Sequence, residues 1–130
     1  MPIQKNAGRQ DLLVAYVDIA LGDLTAGVAQ AAIDLPHGAV LVGGDAVVKT
    51  PFNAATTATL KVGDKGDDDR YGSLDLKTAG RTALTLTGYK HNVGEPLLVS
   101  FAQTGAAATT GQMRLTVQYY VEGRAAFSQG

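Results

Sequence analysis

The chain reads as an all-β domain, with its strands packed as a two-sheet sandwich or closed as a barrel. Three observations lead there. Apolar and polar residues alternate in five stretches, turn-forming residues separate those stretches, and no long segment carries the helical period. Met113 to Val121 is the clearest case. Met113, Leu115, Val117, Tyr119 and Val121 fall on one side, and Arg114, Thr116, Gln118 and Tyr120 on the other. A period of two sends the first set to a buried sheet face and the second to solvent or a partner.

The elements follow in order. Residues 1–11 are polar and without period, and are expected to form a flexible N-terminal arm. Leu12 to Ile19 is apolar on both faces, the pattern of a strand covered on both sides. Gly22-Asp23 turns the chain into a weaker strand over Val28 to Leu35, although the Ala-rich piece Leu24 to Ala32 also permits a short helix. Pro36-His37-Gly38 is a turn, since proline presets φ and glycine tolerates positive φ. Ala39 to Val42 and Asp45 to Thr50 are apolar segments broken by Gly43-Gly44. Paired glycines inside a strand pattern predict a bulge or a bend, here one that would carry a long strand from one sheet to the other.

Beyond Pro51-Phe52-Asn53, Thr57 to Val62 alternates cleanly, with Ala58, Leu60 and Val62 opposite Thr57, Thr59 and Lys61. Gly63 to Gly72 is the most polar loop. Ser73 to Lys77 is a short strand or turn, and Ala83 to Tyr89 alternates again, Leu84 and Leu86 against Thr85 and Thr87. The turn Asn92 to Pro96 precedes a strand over Leu97 to Gln103. A small-residue loop, Thr104 to Gly111, leads to the last strand, Gln112 to Glu122. The domain is thus expected over 12–123, with a polar C-terminal tail over 124–130.

A chain of 130 residues fits one domain with one core. Cysteine is absent, so neither disulfides nor a thiolate metal site hold it together. Eleven basic side chains against twelve acidic give a net charge of −1, without the basic stripe of a nucleic-acid binder. No apolar run approaches the roughly 20 residues of a membrane span, so no membrane partner is expected. Met1-Pro2-Ile3-Gln4-Lys5 lacks the apolar core of a signal peptide, so a soluble product synthesised in the cytoplasm and not exported by the general secretory route is expected. Ala, Gly and Thr are abundant and Trp is missing, a composition that predicts a light core supported by burial against another subunit.

Chemistry is sparse. His37 and His91 lie in expected turns and read as surface residues, because no nucleophile or orienting acid accompanies them. Ser73, Ser100 and Ser128 carry no Gly-x-Ser-x-Gly signature. Asp64, Asp67, Asp68 and Asp69 offer hard oxygen donors of the calcium-binding kind, but the spacing is not that of an EF-hand, and Lys65 and Arg70 lie among them. A solvated hairpin loop is the preferred reading. Gly63-Asp64-Lys65-Gly66 lacks the ending of a phosphate-binding loop. No catalytic, cofactor-binding or metal-binding residue is therefore assigned, no cofactor is expected, and the chain is not expected to be an enzyme. Two contact candidates remain: Arg70 with Tyr71, and Tyr120 with Arg114 and Gln118 on the polar side of the last strand.

Three segments together resemble small virion proteins encoded beside capsid genes in tailed bacteriophages. They are Leu35 to Gly44, launched from the Pro36-His37-Gly38 turn; Phe52 to Asp64 with the acidic Asp68-Asp69-Arg70-Tyr71; and Ala79 to Leu84. Proteins of this kind include the decoration, or cement, proteins of the capsid surface. The resemblance implies a jelly-roll-like β-sandwich acting as a structural virion protein, a homo-oligomer (a homotrimer) bound to the major capsid protein on the outer capsid surface. It carries over no catalytic residue. The alternative is a receptor- or carbohydrate-binding β module of a head fibre or tail, using the loops Asp64 to Tyr71 and His91-Asn92.

Overall fold

The computed structural model describes residues 11–92 and 94–121. The expected arm and tail therefore lie, but for Asp11, outside the described residues. Nine strands follow one another among the described residues: β1 (Leu13–Ala20), β2 (Ala29–Asp34), β3 (Ala39–Thr50), β4 (Thr57–Gly63), β5 (Ser73–Asp75), β6 (Gly80–Ala83), β7 (Lys90–His91), β8 (Pro96–Thr104) and β9 (Gln112–Val121). One sheet runs β1-β9-β3-β6, with β7 also on β3, and the other runs β2-β8-β4-β5. All strand pairs are antiparallel. Setting aside the two-residue β7, the pairs β1·β9, β2·β8, β3·β6 and β4·β5 nest inside one another. That is one long antiparallel hairpin wound into two layers, the jelly-roll form of the sandwich.

Alternation builds the core. Met113, Leu115 and Val117 of β9, Ala46 and Val48 of β3, and Ile19 of β1 face Leu97, Val99 and Phe101 of β8 and Ala58, Leu60 and Val62 of β4. Each buried Leu, Val or Phe contributes roughly 1.5–3 kcal/mol relative to an exposed one. Phe52 and Phe101 pack tilted, 5.9 Å between centroids, and Ala39, Ala54 and Ala58 are buried in the same core.

Three expectations change and one alternative, the short helix, gives way to the expected strand. β1 is not covered on both sides: it is an edge strand, and Leu12, Val14 and Tyr16 point outward while Ala15, Val17 and Ile19 point in. The Ala-rich piece near Leu24 forms no α-helix. A single 3-10 turn at Leu21–Asp23 leads into β2, whose ladder with β8 supplies the backbone bonds a helix would have supplied. Gly43-Gly44 marks a bulge, where the register slips between Leu41 and Gly43, but β3 does not cross sheets. It stays paired to β9 from Ala39 to Thr50 because β9 is long enough to follow it. Ala83 to Tyr89 is not one strand. After Ala83, the Leu84 N–H still donates to Gly44, then that of Thr85 donates to Tyr71 and the chain leaves β3. Leu84 is buried and Leu86 exposed in consequence.

Candidate functional site

Two features stand apart from the core. The first is the outer face of the β1-β9-β3 sheet. Residues paired across an antiparallel ladder share a face, so Val14 with Gln118, Tyr16 with Thr116, and Asp18 with Arg114 all look outward. Val42, at the bulge of β3, is exposed close to Gln118. Leu12, Val14 and Tyr16 are each more than half exposed, Tyr16 by 60 %. Arg114 rims this apolar stripe. Its guanidinium lies 4.5 Å from the Tyr16 ring centroid, and its Nε donates to Asp18 Oδ1 at 2.7 Å. Tyr120 is only half-buried, on the same face but beside Val40 of β3.

The second is a buried polar cluster where the end of β4, β7 and the approach to β8 meet. Asp64 follows β4 and is 2 % exposed. Its carboxylate folds the loop around itself: Oδ1 accepts from the N–H groups of Gly66 and Asp67, both at 2.9 Å, and Oδ2 from Arg70 Nε at 2.6 Å. This is the Asx turn that Asp favours. The fold-back needs Gly63, since a Cβ there would strike the backbone of Asp67 and Asp68. Burial pushes the Asp64 carboxyl up, but Arg70 and the Asp67 and Gly66 amides outweigh it and hold the group below the usual carboxylate value. Arg70 in turn lies 3.6 Å above the Tyr89 ring.

Tyr71 and His91 complete it. The Tyr71 N–H donates to Val62, which holds the ring under the loop, and its hydroxyl shares a 2.7 Å hydrogen bond with His91 Nε2. Burial first, and then the nearby Asp64, pushes the Tyr71 hydroxyl up to about 12. His91 is fully buried. Its Nδ1 faces Asp64 Oδ2 at 3.9 Å and Glu95 Oε1 at 3.8 Å, too far for hydrogen bonds. Burial lowers its pKa against the opposing pull of both carboxylates.

Several expectations are corrected here. His91 is not a surface histidine, because β7 pairs it with Ala39 beneath the loop. Tyr71 cannot make a subunit contact, since it is 1 % exposed and hydrogen-bonded inward. The acidic loop is only partly solvated: Asp67, Asp68 and Asp69 are exposed, whereas Asp64 is a structural ligand of Arg70. His37 is exposed in its turn, and Ser73 is exposed on β5. Ser128 lies outside the described residues. His91 meets Tyr71, Asp64 and Glu95, the Tyr89 ring packs edge-on against it at 5.0 Å between centroids, and Arg70 lies close enough to act on its charge. Sequence reasoning missed this cluster. Its one local signal is Asp64-Lys65-Gly66-Asp67, an Asx-turn pattern that ties the first aspartate to its own loop.

Fold and site together define a small two-sheet jelly roll with an exposed apolar stripe at one edge. No protein-family model matches the chain, and no curated protein matches it. Solved structures do. A chain of the cyanophage Pam1 capsid asymmetric unit is similar over 93 % of this chain and 92 % of its own length, with 25 % identity and a TM-score of 0.69. A chain in the acidic stable capsid structure of Helicobacter pylori bacteriophage KHP30 shares the fold at 17 % identity, TM-score 0.67, over 85 % of this chain and 87 % of its own. One in the capsid of Ralstonia phage GP4 does so at 24 % identity, TM-score 0.64, over 95 % and 91 %.

Proposed function

We propose that this chain is a structural protein of a phage virion: a decoration, or cement, protein bound as a homotrimer to the outer surface of the capsid shell. The observation that carries this reading is the end-to-end likeness to a chain of the Pam1 capsid, in which more than nine-tenths of both chains match. The likeness therefore covers nearly the full length of that solved chain. The outer stripe supports it from physical chemistry. Val14 and Tyr16 lie on an edge strand with Leu12 just before it, and Arg114 and Asp18 rim them. An apolar centre with a polar rim containing Tyr and Arg has the make-up of an interface.

The mechanism needs no catalysis. A protein that binds only the assembled shell stabilises it by mass action. Three linked copies engaging adjacent major capsid protein subunits add avidity, because each further contact is intramolecular. The β1 stripe is the surface that meets the shell in this scheme. The test is co-sedimentation of the purified chain with expanded capsids lacking it, alongside its mass in solution by light scattering. A trimer mass and saturable binding that Val14→Asp abolishes are expected. A monomer that stays in the supernatant whatever the shell would overturn the reading.

A further inference from the structure

We propose that Asp64, His91 and Glu95 form a binding site for one first-row divalent cation, zinc being the ion their donors suit best. The three side chains come from the loop after β4, from β7 and from the connection before β8, and their ligating atoms lie within 4.8 Å of one another. This site is independent of where the chain sits in a virion.

The orphaned nitrogen is the starting point. His91 Nδ1 is buried and has no hydrogen-bond partner, and the polar atoms facing it are two carboxylate oxygens. Buried polar atoms are almost always satisfied, and an exception calls for a missing ion or water. Two anionic acceptors looking at an unbonded nitrogen define the space for a cation. The other ring nitrogen is already committed to Tyr71 Oη, and in the tautomer that carries its hydrogen on Nε2 the ring leaves a lone pair on Nδ1 for the ion. A histidine oriented this way by its second nitrogen is how proteins present the ring to a metal.

The donor set selects the ion. One imidazole nitrogen and two carboxylates suit zinc and its neighbours, whereas calcium and magnesium prefer oxygen donors alone. With metal–ligand distances near 2.1 Å, tetrahedral donors sit about 3.4 Å apart. Gaps of 3.8 and 3.9 Å therefore close by about half an ångström. Glu95 closes the 3.8 Å gap, because its side chain is 20 % exposed, and a shift of the His91 ring closes the 3.9 Å gap to Asp64, which Arg70 and two amides pin. Arg70 neutralises one of the two carboxylates, which leaves one negative charge to meet the ion and a fourth position for water. The exposed Asp67, Asp68 and Asp69 lack any such buried, unpartnered atom, and Lys61 already lies 3.7 Å from Asp68.

The experiment uses the full chain stripped with chelator and titrated at neutral pH with Zn²⁺ and separately Co²⁺. Calorimetry is expected to find one ion per chain. The Co²⁺ form should gain the visible absorption of low-coordinate cobalt, and Tm should rise by about ten degrees at roughly a hundredfold excess over Kd. Glu95→Gln should weaken binding at least about tenfold and leave the metal-free Tm unchanged. His91→Gln should remove the cobalt spectrum, and where that variant does not fold, Glu95→Gln with the cobalt spectrum decides alone. The proposal is overturned if the stripped chain binds neither ion at neutral pH. Equal binding by the Glu95→Gln variant also overturns it.

Discussion

Arg70 and Arg114 make the same local arrangement twice. Each donates its Nε to an aspartate, at 2.6 Å to Asp64 and at 2.7 Å to Asp18, and each lies over a tyrosine ring, Tyr89 or Tyr16. Their surroundings differ. The Arg70 and Asp64 side chains are 18 % and 1 % exposed, those of Arg114 and Asp18 40 % and 58 %. In water, an ion pair loses most of its Coulomb energy to screening and contributes little to stability. Beneath a loop, the same pair fixes backbone, and losing one partner strands the other. The first arrangement is thus a fastening of the fold and the second a feature of its outer skin.

Substitutions break this comparison most sharply on the buried side. Asp64→Ala leaves Arg70 uncompensated and two loop amides without their acceptor. Urea denaturation should show a loss of about 3 kcal/mol, and an unchanged midpoint would mean the pair is ornamental. Gly63→Ala drives a Cβ into the loop backbone and should cost about 1–3 kcal/mol. Hydrogen exchange should then speed up at the Gly66 and Asp67 amides ahead of those of β4. Tyr71→Phe removes the hydroxyl that pairs with His91 Nε2 and should cost about 1–2 kcal/mol in thermal or chemical unfolding.

On the exposed side the expected order reverses between stability and binding. Tyr16→Ala should change unfolding free energy by no more than about 0.5 kcal/mol, while weakening co-sedimentation with shells at least about tenfold if the stripe is the contact. A variant that unfolds early would instead place Tyr16 in the fold. Smallest of all is Asp18→Asn. Arg114 holds that carboxyl below its usual value chiefly by the hydrogen bond between them, yet both lie in solvent, so Tm should stay within measuring error at any salt concentration.

The two features were unequally visible beforehand. The alternation of Met113, Leu115 and Val117 against Arg114, Thr116 and Gln118 predicts the inward and outward faces of β9, and those of β4 follow from Ala58, Leu60 and Val62 in the same way. Val14 and Tyr16, outward on β1, are apolar, and so alternation reads them as covered when only an edge position exposes them. His91 beside a turn looks solvated until Tyr71, twenty residues earlier, is packed against it. Nothing in the neighbours of either residue announces that contact.

Period-two patterning and punctuating glycines, prolines and aspartates belong to the chain itself, because strand faces and turns depend on residues a few positions apart. They determine an all-β protein, most of its strands and the inward side of nearly all of them. Which strand lies beside which, that β3 holds one sheet through its bulge, and that Asp64, His91 and Glu95 converge around one bare nitrogen are matters of tertiary structure. They depend on burying the two layers against each other, a sum over the whole core that no local stretch contains.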